Sequence, residues 1–303
     1  MQKLFFSLVM VVLLSSCAKS NKYGELGVYS EEELQKTVQQ SNSLGIAFGG
    51  GGIRGFMHLG VMKALEENGI SADIVTGSSA GSIAAALYAS GLPFQQLESI
   101  TNNVSELDLA DIVISSQGVI NGKNIAEWIN DSVPQTDLQS MPVEIGITAT
   151  DMNLRKSVLI REGDIGQAVQ TSSTIPGAFI PVEHNGHILV DGGILTVVPV
   201  NYARKMGADF VIAVDIYCGN QPEPELSSTR MLLSTFRLLS CTLAQSEIAS
   251  ADIIISPDFE PEKNSLFSSK EMAIEAGYQA TLAEMPNIIK LVSRNETHTP
   301  RTL

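Results

Sequence analysis

One large α/β domain built on parallel strands is the fold class this sequence predicts, and three observations predict it. A β-compatible apolar segment, Leu44-Gly-Ile-Ala-Phe48, runs into a glycine loop at 49–55 and then into apolar residues at helical spacing. A second such segment, Asp73-Ile-Val-Thr76, follows that helix and runs into a Gly-Ser-Ser-Ala-Gly turn and another helix. Further short apolar runs recur later in the chain between turn and helix signals. With 303 residues, 44% hydrophobic and 17% charged, the chain is long enough for a sizeable core and too apolar for disorder. It shows no internal repeat and no low-complexity tract.

In chain order, Lys3 and the apolar run Leu4 to Leu14 have the pattern of a signal peptide over 1–16. The run is 11 residues long, too short to span a bilayer core of ~30 Å as a helix. It ends in Leu14-Ser15-Ser16-Cys17, which resembles a bacterial lipobox and makes Cys17 the expected lipidated first residue of an exported, membrane-anchored protein. Residues 18–43 are polar and interrupted by Gly24 and Gly27, and are expected to form a tether ahead of a folded domain at 44–293. A polar tail is expected at 294–303. The formal charge of −14, with 19 basic residues that never cluster, argues against binding nucleic acid and equally against electrostatic docking on anionic lipid. Composition leaves the oligomeric state open.

The strand, loop, helix, strand unit from 44 to 76 requires a right-handed crossover. The loop at 49–55 and the turn at 77–81 therefore emerge at one carboxyl edge of the sheet. Gly77-Ser78-Ser79-Ala80-Gly81 is a G-x-S-x-G sequence between a strand and a helix, where a nucleophilic serine needs small neighbours and receives the helix dipole. Glycines 77 and 81 supply the space. Backbone N–H groups of Gly50, Gly51 and Gly52 are then candidates to face the oxygen that becomes negative when Ser79 attacks a carbonyl. Gly50, Gly52 and Gly55 also satisfy a dinucleotide fingerprint, but the acidic residue that fingerprint expects at the end of the second strand is missing: Asp73 stands at its start. No Gly-Lys-Ser/Thr follows, so a P-loop fails as well.

Val143 to Thr150, Ser157 to Ile160, Phe210 to Val214 and Ile253 to Ile255 read as further strands. Glu225 to Ser250 reads as a long helix with Met231, Leu232, Phe236, Leu239 and Leu243 near one face. Core packing is the expected use of that stripe, with a lid or acyl-chain channel as the alternative. Cys218 and Cys241 are free to pair in an oxidising compartment or to stay as separate buried thiols, and their spacing suggests no metal site. No cofactor is implied.

The four histidines give no Ser-His-Asp triad. His58 falls inside the first helix in a packing or capping role, and His298 lies in the tail. His184 and His187 flank Asn185-Gly186, a hairpin turn signal, and are expected at an exposed tip. A carboxylate is the remaining base: the strand His187 to Val190 ends at Asp191-Gly192-Gly193, and partial burial would raise the aspartate pKa toward that of a useful base.

Gly-Gly-Gly-Ile-Arg-Gly at 50–55, Gly-Ser-Ser-Ala-Gly at 77–81 and Asp-Gly-Gly at 191–193, in this order, resemble the patatin-like phospholipase family. Thr174 to Val182 and Met206 to Asp215 resemble its bacterial members, so the likeness covers about 44–216. The resemblance implies a doubly wound α/β sandwich with a mostly parallel central sheet and helices on both faces. It implies a Ser-Asp dyad at Ser79 and Asp191, an oxyanion loop at Gly50, Gly51, Gly52 and Arg54, and acyl esters of lipids as substrates. Two departures stand out. Thr196-Val197-Val198-Pro199 lacks the Asn that family members often carry before Pro, and Ser78 replaces the Thr common before the nucleophile.

Overall fold

The computed structural model describes residues 20–34, 43–105, 109–219, 227–260 and 269–296. The expected signal peptide, Cys17, residues 18–19 and 35–42 of the expected tether, and residues 297–303 of the expected tail, His298 among them, lie outside them. The described strands form one ten-stranded sheet. Its parallel centre runs β5 (Glu144–Asp151), β4 (Ile74–Gly77), β3 (Leu44–Phe48), β9 (Phe210–Val214), β10 (Ile253–Ile255). The rest is antiparallel: β6 (Lys156–Glu162) pairs with the other edge of β5, while β8 (His187–Asp191), in a hairpin with β7 (Val182–His184), pairs with the same edge as β4, further along β5.

Successive strand residues point to opposite faces, and each face has its own core. Ile46 and Phe48 of β3, with Val75, Ile212 and Val214, pack into a large cluster with Met57 and Leu65 of α1 (Phe56–Glu67) and Ala85 of α2 (Ala80–Ala89). Ala47, Ile74, Val211 and Ala213 face the other way, onto Val200, Ala203 and Met206 of α6 (Val200–Met206) and Ala244 and Ile248 of α7 (Ser228–Ile248). The sheet is thus covered on both faces, as a parallel sheet requires. Three shorter helices, α3 (Phe94–Asn102), α4 (Lys123–Ser132) and α5 (Ile165–Ser172), flank the first cluster, and α8 (Lys270–Glu296) packs across α1.

Several expectations change. Part of the expected tether belongs to the sheet: β1 (Asn21–Lys22) pairs parallel with β7, and β2 (Gly27–Ser30) pairs antiparallel with β6. The cause is open backbone edges at β6 and β7, which polar strands satisfy as well as apolar ones. The hairpin turn is as read, with φ of 48° at Asn185 and 83° at Gly186. Yet His184 is buried, because β1 closes over it and Tyr23 O lies 2.6 Å from its Nδ1. Half-exposed His187 is paired with Asp151. The segment expected as a tail begins inside α8, which runs to Glu296.

The largest change concerns α7. Its buried face consists of Arg237, Ser240, Cys241, Ala244 and Ile248, whereas Leu232, Phe236, Leu239 and Leu243 face outward. The apolar stripe is therefore not core packing. Cys241 is disulfide-bonded to Cys218, which joins α7 to the chain leaving β9. Among the described residues no helix is long and apolar enough to cross a membrane.

Candidate active site

The site forms where two strands run toward each other along β5. β4 runs parallel to β5 and its last residue, Gly77, pairs with Ile147. β8 runs antiparallel to β5 and its last residue, Asp191, pairs with Ala149. Their ends meet over Thr148, whose hydroxyl donates to Gly77 O at 3.2 Å. A Cβ on Gly192 would lie 2.5 Å from that same hydroxyl, so the residue following Asp191 has room only for hydrogen.

Beyond β4 the chain turns sharply at Ser79, which has φ 51° and ψ −125°. A serine at positive φ is strained and persists only where the surroundings impose it. The imposition is steric: a Cβ on Gly77 would lie 2.3 Å from Gly81 O, and one on Gly81 would lie 2.1 Å from Phe48 O. Ser79 N–H donates to Ser172 Oγ at 2.9 Å, and Ser82 Oγ donates to Ser79 O at 2.6 Å. Ser172 ends α5, which is started by an Asp164 cap accepting from Gln167 N–H at 2.7 Å. Sequence reasoning passed over Ser172, because a hydroxyl that holds one backbone N–H leaves no pattern.

Ser79 Oγ donates to Asp191 Oδ2 at 2.7 Å. The other carboxylate oxygen accepts from Gly193 N–H at 2.7 Å, and the Asp191 backbone is fixed by Thr174 O and the Thr150 hydroxyl. Burial pushes the Asp191 pKa up to about 6, against the opposing pull of the Ser79 and Gly193 hydrogen bonds. Both side chains are nearly closed off, Ser79 at 9% exposure and Asp191 at 6%. The missing Asn before Pro199 is compensated by other ties on that loop. Thr196 donates to Gly192 O from its backbone and to Ser157 Oγ from its hydroxyl, and Val197 O accepts from Gly50 N–H.

That last bond corrects one expectation: Gly50 N–H, engaged at 2.9 Å, is not available to an oxyanion. Gly50 instead brings the loop against Ser79, since a Cβ there would lie 3.2 Å from Ser79 Cβ. The N–H groups of Gly51 and Gly52 have no hydrogen-bond partner among the described residues. Arg54 is likewise reassigned. Its guanidinium pairs with Glu260 and reaches Gly51 O at 3.4 Å, so it braces the loop rather than pointing a free charge at Ser79. The same Glu260 meets Arg237 of α7, and Arg54 and Arg237 both lie over the Tyr217 ring. From behind, the buried His58 holds Gly49 O at 2.8 Å and meets the Phe48 ring edge-on. Burial pushes its pKa down to about 4, so it donates as a neutral imidazole. Among the described residues no group of three or more His, Cys, Asp or Glu side chains is arranged to hold a metal ion.

A family model described as patatin-like phospholipase matches residues 46–204. The chain is 31% identical over 223 residues to an uncharacterized NTE family protein of Mycobacterium tuberculosis, in an alignment covering 70% of this chain and 62% of that protein. It is 32% identical over 210 residues to human patatin-like phospholipase domain-containing protein 6, covering 67% of this chain and 15% of that one. The chain thus spans less than two thirds of the length of these relatives. In fold it is similar to the crystal structure of VipD from Legionella pneumophila, with a TM-score of 0.53 at 14% identity, over 94% of this chain and 73% of that one.

Proposed function

The chain belongs to the patatin-like phospholipase family, and from that premise we propose that it is a serine acyl-ester hydrolase of lipids in which Ser79 is the nucleophile and Asp191 its base. The observation that carries this reading is the 2.7 Å hydrogen bond from a strained, elbow-borne Ser79 hydroxyl to a carboxylate whose pKa burial has raised.

In this reading Asp191 takes the Ser79 proton as Oγ bonds to the ester carbonyl carbon, and the carbonyl oxygen becomes an oxyanion. The N–H groups of Gly51 and Gly52 receive that charge, each donor of this kind being worth about 10² to 10³ in rate. The protonated Asp191 then gives its proton to the departing alcohol, leaving an acyl-enzyme. Water attacks that ester with Asp191 again as base, releasing the fatty acid and restoring Ser79. Raising the aspartate toward neutrality narrows the gap to the serine hydroxyl while keeping the base ionised at pH 7.

The lipobox-like Leu14 to Cys17 supports an exported form held on a bacterial membrane through lipidated Cys17, and the Cys218–Cys241 disulfide fits an oxidising compartment. Radiolabelled palmitate incorporated in a bacterial host and lost in Cys17→Ser tests the anchor.

Fatty-acid release from a panel of phospholipids, lysophospholipids and neutral esters tests the activity. The Ser79→Ala chain should lose about 10⁴-fold or more of turnover on every ester that the parent cleaves, with unchanged folding. Residual turnover within tenfold of the parent would remove Ser79 from the mechanism.

A further inference from the structure

Two exposed apolar features belong to elements tied to the surroundings of Ser79. The first is the outer face of α7, where Leu232 and Leu239 are 56% and 58% exposed. The opposite, buried face of the same helix is tied to the glycine loop through Arg237, Glu260 and Arg54. The second is the segment around Ile112 and Ile114, 76% and 90% exposed. That segment is held to the chain leaving α5 by the Val119 and Ile120 N–H groups, both donating to Ala178 O. A few residues earlier in that chain, Ser172 and Thr174 hold Ser79 and Asp191. Exposed apolar side chains in such numbers mark a surface that is covered in use.

We propose that the outer face of α7 and the Ile112–Ile114 segment together seat this protein on the lipid bilayer from which it draws its acyl ester, a proposal that rests on the lipid-hydrolase reading above. Two observations select a bilayer as the occupant. The first is where the chain outside the described residues ends. Ser20 is three residues beyond Cys17, so the chain lets the Cys17 backbone reach at most about 11 Å from it. The neighbouring Asn21 donates to Asn121 O at 2.9 Å, and Asn121 N–H donates to Asp111 O. The first described residues after the expected anchor point are therefore bonded to the chain that flanks the Ile112 segment. The second is charge. From 228 to 246 the α7 sequence carries Arg230 and Arg237 and no carboxylate, in a chain of net charge −14. Residues 112–121 carry no charge at all, and the adjacent Asp111 carboxylate is occupied by the Gly122 and Lys123 N–H groups. The acidic surface is thus interrupted where an interface with phosphate headgroups would repel it.

The test is flotation of residues 18–303, which contain every described element, with vesicles of phosphatidylethanolamine and phosphatidylglycerol. The parent and two paired variants, Leu232→Ser with Leu239→Ser and Ile112→Ser with Ile114→Ser, are compared. Turnover of a soluble short-chain ester is measured alongside. The parent should float no less at high salt than at low, because apolar insertion is not screened whereas repulsion between the acidic chain and phosphatidylglycerol is. Each variant should bind at least about tenfold more weakly and lose vesicle turnover in proportion, with soluble-ester turnover within twofold. Equal flotation of parent and variants would overturn the proposal. So would a parent that does not float but forms a dimer dispersed by the same substitutions, since a second copy would then cover the surface. Flotation is read whether or not the ester is cleaved, so failure of the hydrolase reading is separately visible.

Discussion

Asp191 is caught between burial, which raises its pKa to about 6, and the hydrogen bonds of Ser79 and Gly193, which lower it. The ordinary value is 3.8, so between roughly pH 4 and 6 the folded chain holds a proton that the unfolded chain has released. Folding stability owed to this group is present below the unfolded pKa and lost as pH rises through 6, a cost of about 3 kcal/mol at pH 8. Two outcomes follow from that sign. The acid limb of kcat/KM should fall at a pKa near 6 rather than near 4, as measured on a soluble ester. Asp191→Asn should abolish turnover while raising the thermal midpoint at pH 8, and the gain should shrink toward pH 4. A midpoint difference that does not change with pH would mean that Asp191 is not buried as a charge. At this scale Ser79, Asp191 and the small residues around them were legible in the sequence, because a strained turn admits few residue types. The roles of Gly50 and Arg54 were not, since which N–H is free and which charge is paired depends on Val197 and Glu260, remote in sequence.

Among the elements, the parallel strands were read almost to the residue, because strands buried on both faces are short continuous apolar runs. The outer face of α7 was assigned to the core because periodicity reports that a helix has an apolar face and not what lies against it. β1 and β2 have no such pattern and are strands only because β7 and β6 offer them edges. The α8 helix went unread, although Ala273, Met285 and Ile288 lie on a buried face, and its approach to α1 rests on glycines as well. A Cβ on Gly60 would lie 1.9 Å from Ile274 O, and one on Gly277 would lie 1.9 Å from Met57 O, so α1 and α8 touch backbone to backbone. Gly277→Ala sets two effects against each other. Helix propensity favours Ala by about 1 kcal/mol. Overpacking against a backbone oxygen costs about 1–3 kcal/mol or more, because helices must move apart. The denaturation midpoint should therefore fall; a rise would show that the helices separate at no cost.

The whole molecule joins an interior legible from its sequence to an exterior that was not. Its charge pattern argued against nucleic acid, and its glycine and serine motifs placed the 49–55 loop and the Ser79 turn at one edge of the sheet, where the structure brings Asp191 to Ser79. The Cys218–Cys241 bond was left open in the sequence because pairing depends on where α7 docks. It closes a loop with a sequence separation of 23, which corresponds to roughly 3 kcal/mol of lost unfolded-state entropy. Replacing both cysteines by Ala should lower chemical stability by about that amount, and reductant should do the same to the parent but not to the variant. Equal midpoints with and without reductant in the parent would mean that the bond does not form in the protein as produced.

The central claim is that Ser79 is a nucleophile made reactive by Asp191. Labelling with a fluorophosphonate probe, mapped by peptide mass spectrometry, tests it without choosing a substrate. The account predicts one modified peptide, carrying the probe on Ser79, with labelling that weakens below about pH 6 and is lost in Asp191→Asn. A folded parent that stays unlabelled, or labelling of Ser79 that survives Asp191→Asn at the same rate, would contradict it.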